Sequence, residues 1–536
     1  MVDRRATRRL FRRAAPSLAL CSAGLCVLVG VAAVVVAGRA RPSSAVQGPS
    51  SPVSAGGRDP LSTRAQNSPT LLVNPVDRSN LVVVSRVDSQ PLTCGVDISL
   101  DGGATWEPKV APTVPGKSTA CFAPDAAFSP DGTLAVSFTT WAPVPGAGVV
   151  PDGVWVATSR DGGRTLSTPV LASGAPGALQ VRLAADPSSP GRLYAAWLHA
   201  AGIGSWGLTD VGNPIVVARS DDGGATWSPP VNVSAPNRQR VVAPSIAVGW
   251  NGRVHVTYVD VGDDVLDYHG AHEGRGGPPY DGPWTVVAAG SADVGVTWSE
   301  STVGIVLGAD RFLTLYPPTP ALAVGPDGNG ERLHVAFSDG RSGSAEVLVW
   351  SSSDGGRTWR VPRPVDPGAT GSQLLPGLDA GPDGRLDVVY YVRPDAEPGP
   401  GTTVVLQSSF DEGATWTRPE RLSDAAFDSS IGQGSQRGLP SMGSRLAVLS
   451  TGTGALAVWT DTRGGTPATG KQDLARAVVR FSSPAWVGPA RQGGVGVALA
   501  GVILGAGAIR GRRRRSAATN RGHNGTNGDG EAPEGP

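Results

Sequence analysis

Lysine is nearly missing from this chain of 536 residues: only Lys109, Lys117 and Lys471 occur, and arginine carries almost all of the positive charge. Lys+Arg (46) and Asp+Glu (45) balance to a net charge of +1, which leaves no basic field to hold nucleic acid. Aromatic residues are sparse at 6%, and the central region has no long amphipathic helical pattern, which argues against an α-helical core. Phosphate-binding glycine loops, HExxH and serine nucleophile elbows are also absent. Cysteine is limited to four positions. What the chain does have is turn-forming residues, with 74 glycines and 47 prolines. The Ala/Gly/Arg/Pro/Val-rich usage points to a high-GC bacterial genome.

One pattern recurs six times as S-x-D-x-G-x-T-W, beginning at Ser99, Ser159, Ser220, Ser291, Ser352 and Ser409, with Leu166 replacing the aromatic in the second copy. Its aspartates are Asp101, Asp161, Asp222, Asp293, Asp354 and Asp411, at intervals of 60, 61, 71, 61 and 57 residues. A period of this size marks a repeat architecture whose units do not fold alone. An aspartate followed by glycine at a strand end accepts backbone N–H bonds, the glycine takes positive φ, and the tryptophan offers a large apolar face. These copies are therefore expected to be structural turns. Alternating apolar runs joined by turns precede each copy, as in Ala321–Val324 and Leu333–Phe337, and a seventh pair, Leu446–Leu449 with Ala455–Trp459, follows the last. Hairpin, strand, turn and strand make a four-stranded antiparallel blade. The fold class expected is an all-β propeller of seven blades, with six as the alternative. The last blade lacks a fourth strand, which residues before Leu71 would supply to close the ring.

The repeated turn resembles the Asp box of sialidases and related BNR-repeat β-propellers, and the resemblance covers about residues 68 to 482. It implies a secreted or surface-exposed, often glycan-directed propeller whose boxes lie away from the active site. Sialidases hold the substrate carboxylate with three arginines and use a Tyr–Glu nucleophile and an Asp acid/base. The family's Arg-Ile-Pro signature is absent here, Thr63–Pro69 reading TRAQNSP.

The opposite face is formed by loops entering the inner strands and loops joining second to third strands. Arg182, Arg240 and Arg437 stand just ahead of inner strands, each near a glutamine (Gln180, Gln239, Gln436). Arg341 and Arg463 lie in second-to-third strand loops as Asp-x-Arg. These five are the candidate carboxylate ligands, since guanidinium groups bind carboxylates in bidentate fashion. Asp125 and Tyr316, at inner-strand entrances, are the candidate catalytic pair by the family resemblance, with Tyr258 a further candidate nucleophile. The 71-residue interval carries Asp263, Asp264, Asp267, His269, His272 and Glu273, without a recognised ligand spacing. It reads as a rim loop, so no cofactor is expected, and calcium is the one ion its carboxylates would suit.

Six arginines in residues 1–16 precede an uncharged run at 17–37, which reads as a transmembrane helix or a signal peptide. Residues 38–67 form a Ser/Pro/Gly linker, 68–482 the propeller and 483–492 a short linker. Residues 493–509 form a second transmembrane segment, and 510–536 a basic, then disordered, cytoplasmic tail. Both ends place the propeller outside the cytoplasm of a membrane-anchored protein. Cys21 and Cys26 lie in the first apolar run, whereas Cys94 and Cys121 fall in loops that open on one face of the meander, within reach of a disulfide. The functional expectation is a glycan-binding or surface-protein-binding module. The alternative is an exo-α-sialidase-type glycoside hydrolase.

Overall fold

The computed structural model describes residues 25–29, 42–54, 62–88, 92–144, 148–174, 176–200, 207–208, 212–238, 240–267, 280–308, 318–326, 332–394, 399–435 and 441–482, and four positions between 502 and 510. Tyr316, Arg437, Gln239, Gln436, His269, His272 and Glu273 lie outside them, as do nearly all of the two apolar runs. Among the described residues no helix is long and apolar enough to cross a membrane.

Residues 45–480 form one compact unit, a propeller of seven four-stranded antiparallel blades. The first strands of blades 1 to 7 are Gln66–Val73, Thr119–Phe128, Ala178–Ala185, Val241–Val248, Ala321–Gly325, Ser372–Ala380 and Ala447–Thr451. Each packs against the first strand of the next blade, and the seventh packs back on the first, so the ring is closed. Seven blades, not six, result. Period-2 alternation in the middle strands gives each blade two apolar faces. Val154 and Val156 of blade 2, for example, mesh with Leu183, Leu193 and Trp197 of blade 3.

Blade 7 takes its outer strands from the N-terminal side, as expected. Ser51 and Pro52 pair with Arg476 and Ala475, and the Gln47 N–H donates to Val478 O at 2.8 Å. The stretch read as a linker is therefore partly blade. Val53 is buried in the same cluster as Leu456, Val458 and Leu474. Pairing the last blade with the chain's beginning removes the open sheet edge.

The boxes join third to fourth strands and share one bonding pattern. In the third box Ser220 Oγ donates to Asp222 Oδ1 at 2.8 Å, and Asp222 accepts the Thr226 N–H at 2.9 Å and Oγ1 at 2.6 Å. The Trp227 indole N–H donates to Gly224 O at 3.2 Å. Val294 and Glu412 occupy the turn position held by glycine elsewhere and still take φ of 56° and 61°, so the turn overrides their own preference. Hydrogen bonds from the box threonine depress the carboxyls of Asp222, Asp293 and Asp354 to about 2. A carboxyl lowered in the folded state stabilises it above the unfolded pKa of ~4, and that contribution fades as pH falls toward 2. Melting temperature is therefore expected to drop steadily between about pH 4 and pH 2. A flat profile across that window in a pH series of thermal melts would contradict it.

Candidate functional site

Five inner strands begin with the same local distortion. Ser68, Ala123, Gln180, Ala243 and Leu375 have φ between 48° and 57°, each at a register shift against the second strand. Four are followed by proline (Pro69, Pro124, Pro244, Pro376). Such bulges re-aim the residues that follow them. Two positions on stand Thr70, Asp125, Arg182, Ser245 and Gly377, and Thr70, Arg182, Ser245 and Gly377 line a cavity of about 220 Å³ at the ring's centre, with Arg445 of the segment entering blade 7.

Asp125 sits behind this lining. Its Oδ1 accepts Thr70 Oγ1 at 2.5 Å, and its Oδ2 accepts the Leu183 N–H at 2.9 Å. Arg182 Nε lies 3.6 Å from Oδ2 and Arg445 Nη2 lies 3.8 Å from Oδ1. Arg445 is largely committed to the fold: it donates to Pro69 O (3.2 Å), Thr70 Oγ1 (2.9 Å) and Pro124 O (3.1 Å), tying blade 7 to blades 1 and 2. Burial, and then the adjacent Arg182 charge, push the Arg445 pKa well below the usual guanidinium value. Arg182 is freer: among the described residues neither its Nε nor its Nη1, both buried, finds a hydrogen-bond acceptor.

Of the sequence candidates, the structure brings together Asp125 and Arg182. Arg240 lies at the entry to blade 4 and donates from Nη1 to Gly262 O at 3.2 Å. Arg341 is held by Asp339 in its own loop and by the Ile305 carbonyl. Arg463 is bound by Asp461 and by Asp424 at 2.6 Å. Tyr258 is fully buried and donates to Glu300 on the outer strand of its blade, directed away from the ring's centre. Burial, and then the Glu300 hydrogen bond, raise its pKa far above the usual phenol value. Arg238 Nε binds the same carboxylate at 2.9 Å, so the pair anchors a connection between blades. Asp264 accepts the Trp284 indole N–H at 2.9 Å, and among the described residues no group of acidic, histidine or cysteine side chains could hold a metal. Cys94 and Cys121 are disulfide-bonded, with Cα atoms 5.7 Å apart; Cys94 opens the third strand of blade 1.

Sequence reasoning missed Thr70, Ser245 and Arg445. The x-Pro step two residues before Thr70 and Ser245 was a usable signal. Arg445 had none, because its partners are blades 1 and 2.

Closed ring, six boxes and an axial polar cavity define an Asp-box β-propeller. A model described as a BNR repeat-like domain matches residues 191–441. The match, the boxes and the closed ring all fit a sialidase-like Asp-box (BNR-repeat) propeller. It is 26% identical over 348 residues to a sialidase of Micromonospora viridifaciens, an alignment covering 52% of this chain and 50% of that protein. The chain thus spans about half the length of the curated relative it matches. Among solved structures it is similar to the Hadza microbial sialidase Hz136 (16% identity, TM-score 0.42, 75% of this chain and 74% of that one). It is also similar to an α-L-arabinofuranosidase of Fusarium graminearum (15%, 0.42, 82% and 98%) and an ulvan lyase (10%, 0.45, 80% and 98%).

Proposed function

We propose that this chain is an extracytoplasmic, membrane-anchored propeller that binds anionic glycans at the axial cavity without cleaving them. The observation that carries the reading is the pair Arg182 and Arg445, two guanidinium groups that line one axial cavity. A glycan carboxylate entering the cavity would be held by charge-assisted contacts to these two arginines. The disulfide supports an oxidising compartment. The arginine-flanked apolar runs at 17–37 and 493–509 support anchoring at both ends. Against hydrolysis stand the missing Arg-Ile-Pro signature and a buried Tyr258 that is bonded to Glu300 on the outer strand of its blade and lines no part of the cavity.

A second reading, exo-α-sialidase-type hydrolysis, is favoured by the similarity to the Micromonospora sialidase and by Asp125 at the axial cluster. A glycan array and a fluorogenic sialoside assay on the same preparation separate the two. The expected result is binding of acidic glycans with no turnover. Arg182→Ala should weaken that binding by roughly 10-fold or more, the loss of one charge-assisted contact. Sialoside turnover by the wild type would replace the first reading with the second, and equal binding by Arg182→Ala would remove the axial site from either.

A further inference from the structure

Among the described residues the axial cluster contains two guanidinium groups and one carboxylate, and the carboxylate does not line the cavity. Asp125 is 4% exposed, and hydrogen bonds from blade 1 (Thr70) and blade 3 (Leu183) hold it in place behind the arginines. Its guanidinium neighbours stay 3.6 and 3.8 Å away, so it balances charge without using up their N–H groups. Arg86, the other cation acting on Arg445, is itself paired with Asp88 at 2.8 Å. Among the described residues the cluster therefore carries one uncompensated positive charge.

We infer that Asp125 sets the charge selectivity of the axial site, fitting it to a singly charged glycan carboxylate and opposing a doubly charged phosphate monoester. This rests on the anionic-glycan reading above and adds to it which anion is taken. Repulsion by Asp125 scales with the ligand's charge, so in a partly desolvated cavity it opposes a dianion about twice as strongly as a monoanion. Selectivity of this kind comes from a built-in repulsive element as much as from attraction. Asp125 acts through the arginines as a positioning residue and needs no contact with the ligand.

Asp125→Asn is nearly isosteric and keeps an acceptor for the Leu183 N–H. Binding of 3′-sialyllactose and of glucose 6-phosphate would be measured on the full chain by calorimetry at constant ionic strength. At about pH 8, above the second phosphate ionisation near 6, the phosphate ester carries two charges. The wild type is expected to prefer the sialoside, and Asp125→Asn to shift the ratio toward the phosphate ester by about 10-fold or more. The double variant Arg182→Gln/Asp125→Asn restores a single positive charge and should return the preference to the sialoside. A purely structural role would lower the melting temperature and leave the ratio untouched, so an unchanged ratio in folded Asp125→Asn overturns the proposal. If the wild type and Arg182→Ala alike bind neither ligand, the anionic-glycan reading falls with it.

Discussion

Asp387→Ala is expected to destabilise the propeller by about 3–5 kcal/mol, the usual cost of removing one partner from a buried ion pair. Asp387 and Arg385 are 0% and 1% exposed, and Arg385 Nε and Nη2 lie 3.0 Å from the Asp387 oxygens. The pair is a stitch between blades. Arg385 Nη2 also donates to Thr451 O (2.7 Å) and Gly454 O (2.8 Å), and Ser450 Oγ donates to Asp387 at 2.7 Å, all from blade 7. Among the described residues, alanine would leave the buried guanidinium with only the exposed Asp383 carboxylate, 3.2 Å from Nη1, and loosen the blade that closes the ring. Denaturant titration followed by tryptophan fluorescence measures the loss. A change under about 1 kcal/mol, the range of an exposed pair, would show that the stitch is not buried as described.

The second large effect is expected from the disulfide. Cys94 and Cys121 enclose a 27-residue separation, for which the loop-entropy relation gives roughly 3.5 kcal/mol. Both sulfurs are buried in a cluster with Val114 and Phe138, so Cys94→Ala/Cys121→Ala avoids adding unsatisfied hydroxyl groups. Melting of this variant, and of wild type with and without reductant, should show matching losses. Free thiols in unreduced wild type would exclude the bond.

Much of the propeller was legible because its signals are local. The Asp-box turn is completed within a few residues, as in Ser220, Asp222, Gly224, Thr226 and Trp227, and the alternation of each hairpin repeats the same arithmetic around the ring. Even the missing fourth strand of blade 7 could be counted. Arginines were harder to place. Arg341 and Arg463 carry the motif Asp-x-Arg, and that motif closes on itself as a loop ion pair, whereas Arg182 acquires its position from a backbone bulge at Gln180.

Sequence alone thus determined the blade, its repetition and the face that the boxes occupy, because turns and period-2 alternation depend on neighbours in the chain. Only the tertiary structure decided the axial site. Arg445 reaches Thr70 across 375 residues, and Asp125 draws on three blades at once. Such contacts exist only after seven blades close into a ring, when inner-strand bulges that are far apart in sequence converge on one axis and their charges begin to act together.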